Sequence, residues 1–99
     1  MKFTWDPEKN RQNKKKHDLS FEIAAKVFGD PLRLEKYDEL HSAEEDRYIT
    51  IGRIETTLVI VAVAYTEREQ TIRIISARTA DKQEKEAYWH GNENGRYRC

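Results

Sequence analysis

Leu58-Val-Ile-Val-Ala-Val-Ala-Tyr65-Thr-Glu-Arg-Glu-Gln-Thr-Ile72-Arg-Ile-Ile-Ser-Ala-Arg78 carries the densest concentration of apolar residues in an otherwise hydrophilic chain, and its reading decides the fold. Leu58 to Ala64 is apolar at every position and rich in valine and isoleucine, which predicts a central strand covered on both faces. The polar residues Thr66-Glu67-Arg68-Glu69 then read as a hairpin loop leading into a second, antiparallel strand. In that strand Ile72 and Ile74 fall on one face, and Arg73 on the other with Ile75 and Ala77. Strict alternation sets Arg78 on the opposite face from Arg73, unless the strand bulges or ends near Ala77. The pattern leaves both arrangements open.

Working outward, 99 residues predict one domain over residues 1–90, followed by a polar tail at 91–99. Charged residues make up 36%, above the usual quarter, yet the apolar residues cluster in periodic segments, so a folded chain is expected. The 18 basic and 18 acidic residues cancel, so any nucleic-acid surface must be a local patch. The longest apolar run is too short to span a bilayer, and no apolar leader opens the chain; a cytoplasmic location is expected. Cys99, the lone cysteine, excludes an intrachain disulfide and reads as a tail thiol.

Phe3-Thr4-Trp5 alternates like a short edge strand, and Asp6-Pro7 starts a helix expected to run to about Lys16. This helix has no apolar stripe, and its basic end, Lys14-Lys15-Lys16-His17, suits either the helix dipole or a phosphate. Ser20 caps a second helix, in which Phe21, Ala24, Ala25 and Phe28 recur at helical spacing before Gly29-Asp30-Pro31 ends it. Strands follow at Leu32 to Tyr37 and Arg47 to Ile54, separated by a solvated acidic loop from Asp38 to Asp46. Beyond Arg78, Thr79 is a candidate cap for a helix from Ala80 to His90 that turns Ala80, Glu84 and Tyr88 to one side. The fold class is α+β: a mostly antiparallel, meander-like sheet with two N-terminal helices and a C-terminal helix.

The chain has no glycine-rich phosphate loop, nucleophile elbow or cysteine pair, and His17, His41 and His90 lack metal-ligand spacing, so no zinc or nucleotide cofactor is expected. What remains is a set of arginines, Arg68, Arg73 and Arg78, beside Tyr65, Glu67 and the basic helix end. Such a set can handle phosphate, and cleaving RNA without metal requires little more. The 2′-hydroxyl attacks the adjacent phosphate, arginine stabilises the phosphorane charge, and His17, Glu67 or Tyr65 are candidates for proton transfer. The ordinary reading of each arginine is a surface ion pair, and of Tyr65, packing at a strand end.

Taken together, the motifs resemble the BrnT family of bacterial toxins. They are Trp5-Asp6 with Lys9; Asn13 before Lys16-His17; Ser20-Phe21 with Ala24, Phe28 and Asp30-Pro31; Arg47 with Ile51-Gly52; and Tyr65-Thr66 with Arg68. Ile72-Arg73-Ile74-Ile75-Ser76-Ala77-Arg78 follows, then Ala80, Glu84 and Tyr88. Asp18 departs from the family pattern, which has glycine after Lys-His. The resemblance implies a RelE-like fold and a metal-independent endoribonuclease that blocks translation. It also implies a DNA-binding, BrnA-like antitoxin, with which the toxin forms a hetero-oligomer. As motif matches it carries over Arg73, Arg78 and His17 as catalytic candidates, with Arg68 and Lys16 as substrate contacts. The alternative is a catalytically weak interaction module, the partner half of a DNA-binding repressor complex.

Overall fold

The computed structural model describes residues 1–94. In chain order it contains β1 (Lys2–Thr4), α1 (Pro7–His17), α2 (Phe21–Ala24), β2 (Leu34–Tyr37), β3 (Tyr48–Arg53), β4 (Ile60–Arg68), β5 (Thr71–Thr79) and α3 (Lys82–Asn94). The strands form one sheet in the order β1-β5-β4-β3-β2, antiparallel throughout except where β1 lies parallel to β5. The α+β architecture and the meander of β2 to β5 agree with the sequence reading.

The central strand is shifted along the chain. Leu58 and Val59 are 78% and 49% exposed, and β4 begins at Ile60 and runs on through Arg68. Thr66 to Arg68 of the expected hairpin loop are therefore strand, and Arg68 stands on the sheet. The turn is Glu69-Gln70, both with positive φ (48° and 67°), the backbone that lets a two-residue connection follow the twist of its strands.

Helix α1 starts where expected: the Asp6 carboxylate accepts the Glu8 N–H at 2.9 Å and proline fills the first turn. It ends at Asp18, whose left-handed φ of 55° is the conformation that favours glycine. Ser20 caps α2 as predicted, but only four α-helical residues follow before a 3₁₀ stretch at Ala25–Gly29. At the other end β5 persists to Thr79, so Thr79 is not a cap. Asp81 and Glu84 instead form a reciprocal capping box, each side chain accepting the other's backbone N–H, at 2.8 and 2.9 Å. Helix α3 continues past His90 to Asn94. The remainder of the expected tail, with Cys99, lies outside the described residues.

Two apolar layers sandwich the sheet. On one face α2 and the 3₁₀ stretch bring Phe21, Ala24 and Val27 onto Val61, Val63, Tyr65, Ile72, Ile74 and Ala77. On the other, α3 brings Tyr88, and the link before it Ala80, onto Leu34, Ile51, Ile60 and Ala62. Each fully buried side chain of this size contributes about 1.5–3 kcal/mol relative to exposure. Asp30 ties the layers together, accepting from Leu32 N–H and Arg53 N–H at 2.9 Å and from the Tyr88 hydroxyl at 2.6 Å. Gly52 permits this closeness, because a Cβ there would meet Val27 Cγ2 at 2.7 Å and Arg33 Cβ at 2.9 Å.

Strand β1 covers the edge of β5 only from Thr71 to Arg73. Farther along, the buried Asn13 side chain takes over, donating to the Ala77 carbonyl at 2.8 Å and accepting the Ala77 N–H at 3.2 Å. One amide thereby satisfies both backbone groups a neighbouring strand would have paired.

Candidate functional site

Strands β4 and β5 pair in simple alternation except at one point. Ala64 faces Ser76 and Tyr65 faces Ile74, so Ile75 is an extra residue and β5 bulges there. The bulge resolves the position of Arg78. Arg73 lies opposite Thr66 and Arg78 opposite Ala62, and Thr66 and Ala62 share a face of β4. Both arginines therefore project from one face, about 13 Å apart along the strand direction. Ala77 belongs to the opposite face, in the core with Ile72 and Ile74, so the expectation that it shares a face with Arg73 does not hold.

Helix α3 covers only one end of this arginine face, and the rest is concave. One cavity of about 370 Å³ is lined by Lys9, His41, Glu45, Arg47, Thr66, Arg68, Arg73 and Ile75, among others. A second, of about 270 Å³, continues from His41, Arg47 and Ile75 to Ser76 and Arg78. The shared residues make the two cavities one groove. Among the described residues, Arg73, Lys9 and Arg47 make no side-chain hydrogen bond or ion pair within the chain. The Thr66 hydroxyl, in a residue 2% exposed, also lacks a partner. Glu45 feels the charges of Arg47 and Arg73 without bonding to either, so a buried hydroxyl and cations with free N–H groups converge on the concavity, an arrangement suited to an anionic ligand.

The other two arginines are held. Arg68 forks onto Glu45, with Nη2 donating to Oε1 at 2.7 Å and Nε to Oε2. Those bonds keep the Glu45 carboxyl below its ordinary range. Arg78 forks onto the buried Glu84 at 2.6 and 3.0 Å, which likewise lowers Glu84.

The remaining sequence candidates lie elsewhere. Tyr65 is on the opposite face, its ring edge-on to Phe28 and its hydroxyl donating to Glu35 at 2.5 Å. Burial, then the Glu35 hydrogen bond, push that phenol well above its ordinary range. Burial pushes Glu35 up in turn, but hydrogen bonds from Tyr65 and Arg33 outweigh it and hold the carboxyl low. Glu67 shares this acidic side, beside Tyr65 and Glu69. Lys16 and His17, at the exposed end of α1, line neither cavity of the groove.

Sequence reading passed over Lys9, Arg47 and Thr66 as site residues and assigned His41 to a solvated loop. The loop is exposed as expected, but a 3₁₀ turn at Glu39–His41 sets His41 at the groove. The available signal was Asp38 three residues before His41, a spacing that brings the side chains together on one helical turn.

The family model described as "Ribonuclease toxin, BrnT, of type II toxin-antitoxin system" matches residues 5–84. The chain belongs to the BrnT family. It is similar in sequence and fold to the crystal structure of the Brucella abortus ribonuclease toxin BrnT, with 31% identity over 83% of this chain and 99% of that one and a TM-score of 0.61. No curated protein matches the chain. Membership of the BrnT family makes this a ribonuclease toxin of a type II toxin–antitoxin system, and such a toxin has an antitoxin partner and an RNA substrate. Among the described residues, no helix is long and apolar enough to cross a membrane.

Proposed function

We propose that the protein is an endoribonuclease that cuts RNA by attack of a 2′-hydroxyl on the adjacent phosphate, without a metal ion, in the groove on the arginine face. Growth stops because the cut RNA no longer supports translation, and a BrnA-like, DNA-binding antitoxin silences the toxin in a cytoplasmic hetero-oligomer. The observation that carries this reading is Arg73, a guanidinium with no hydrogen bond or ion pair to a carboxylate among the described residues, rooted in a paired strand beside the unpartnered Thr66 hydroxyl. A rigidly based guanidinium meets the charge of a phosphorane without reorganising. Arg78 acts second, at the far end of the groove, and Arg68 contacts substrate after leaving Glu45. Lys16 and His17 are outer contacts for the RNA backbone. Tyr65 and Glu67, on the other face, support the fold in this reading.

The pairing of Arg68 and Arg78 with carboxylates favours one competing reading, an interaction module whose catalysis is weak. Purified protein incubated with RNA in excess chelator separates the two. Cleavage leaving 2′,3′-cyclic phosphate and 5′-hydroxyl ends supports the nuclease; intact RNA, with no growth arrest on expression without the adjacent gene, supports the module.

A further inference from the structure

We infer that His41 is the general base of the cleavage and that Asp38 positions it, an inference that rests on the ribonuclease reading above. His41 lines both cavities, so it stands between the Arg73 end and the Arg78 end of the groove. Its Nδ1 lies 2.9 and 3.1 Å from the two carboxylate oxygens of Asp38. A carboxylate only accepts, so Nδ1 carries the hydrogen in this contact and the neutral ring leaves Nε2 bare. The burial of the pair is unequal in the way the role requires: the Asp38 side chain is 13% exposed and the His41 side chain 63%. The anchor is enclosed and the working nitrogen is accessible.

The loop is built to hold this pair still. Asp38 N–H donates to the Arg47 carbonyl at 2.9 Å, and His41 N–H to the Asp38 carbonyl at 3.3 Å. The Ser42 hydroxyl accepts the Arg47 N–H at 2.9 Å and donates to the Asp38 carbonyl at 2.5 Å. Three contacts between the loop's ends and its tip fix the imidazole on the rim of the sheet. Across the groove His41 faces Lys9 of α1, Arg47 before β3, Arg68 of β4, and Arg73 and Arg78 of β5. On its own loop it faces Asp38, Glu44 and Glu45.

In the step, Nε2 takes the proton of the 2′-hydroxyl as the 2′-oxygen forms its bond to phosphorus. The bond from phosphorus to the 5′-oxygen breaks, the leaving oxygen carries off the electron pair and is protonated by water, and the imidazolium returns its proton to solvent. The products are a 2′,3′-cyclic phosphate and a 5′-hydroxyl, with no net change in oxidation state. The cations of the groove hold the phosphorane's charge while Asp38 stabilises the imidazolium.

The test is single-turnover cleavage by the wild type, His41→Gln and Asp38→Asn across the neutral pH range, with binding to 2′-O-methyl RNA measured on the same preparations. His41→Gln is expected to bind normally, to cleave slower by roughly a hundredfold or more, and to lose the rising limb of the wild-type pH profile. Asp38→Asn is expected to bind the 2′-O-methyl RNA normally and to lose about tenfold or more in the cleavage step alone. Substrate bearing sulfur at the leaving 5′ position needs no acid for departure and is expected not to rescue His41→Gln. Rescue by that substrate, an unchanged pH profile, or cleavage within about threefold of wild type would each overturn the assignment of His41 as base while leaving the nuclease intact. A wild-type protein that cuts no RNA overturns both readings.

Discussion

Arg73 and Arg78 project from the same face of β5, although five positions separate them, because the bulge at Ile75 restores the phase that an odd spacing breaks. They differ in what they touch. Arg78 is committed to Glu84, whereas Arg73 makes no side-chain hydrogen bond or ion pair among the described residues and feels Glu45 only through its charge. Replacing Arg73 by alanine therefore removes no intramolecular bond, and the expected result is a folded protein, stable to within about 0.5 kcal/mol of wild type, that cleaves RNA roughly a hundredfold more slowly. Arg73→Lys keeps the charge but loses the planar fork, and intermediate activity is expected. Melting and cleavage measured on one preparation check both.

Glu84 should govern acid stability. Hydrogen bonds from Arg78 hold its carboxyl below the ordinary range, against burial, which raises it. A value depressed by folding contributes stability that is fully present above the unfolded carboxyl value, about 4.3, and is lost as pH falls through the folded value. Glu84→Gln should be less stable than wild type by about 1–3 kcal/mol at neutral pH, with the gap closing on acidification. Urea unfolding at a series of pH values measures the gap directly.

Glu45 competes with substrate for Arg68. The pair is exposed and contributes little to folding, so Glu45→Gln should leave the melting temperature nearly unchanged. It frees one cation in the groove, and RNA should bind more tightly, with the slope of log affinity against log salt steeper by about 0.7. Affinity titrations at several salt concentrations test this, and an unchanged slope would show that Arg68 does not reach the phosphate backbone.

Asp18 occupies a glycine's conformation. Its φ of 55° costs an L-residue about 1 kcal/mol, and Asp18→Gly should raise stability by up to that amount, less what glycine gains in the unfolded chain. Denaturant midpoints for the two proteins decide the sign.

Asn13 closes the edge of β5. Truncating it to alanine leaves the Ala77 N–H and carbonyl and the Leu19 carbonyl without their partner, which should cost about 2–4 kcal/mol. Faster hydrogen exchange at the Ala77 amide would locate the loss at that edge.

The sequence by itself determined the layout: the apolar run around Val61 and Val63, the Asp6-Pro7 and Ser20 helix starts, and the Gly29-Asp30-Pro31 break are local signals, and local signals survive into the fold. The family was legible too, since its motifs are an ordered set of residue types along the chain. Strand limits were less so, because Leu58 is as apolar as Ile60 and only packing distinguishes them; the hairpin loop was misplaced because Glu67 and Arg68 are polar in strand or loop alike. The composition of the groove was decided by tertiary structure alone. The bulge at Ile75 depends on how β5 registers against β4, and it chooses the face of Arg78. Thr66 and Arg47 reach Arg73 across strands, Lys9 from a helix, and His41 from a turn closed by Ser42 against Arg47. Alternation along one strand carries no information about which neighbour lies opposite, and that is settled only when the sheet pairs.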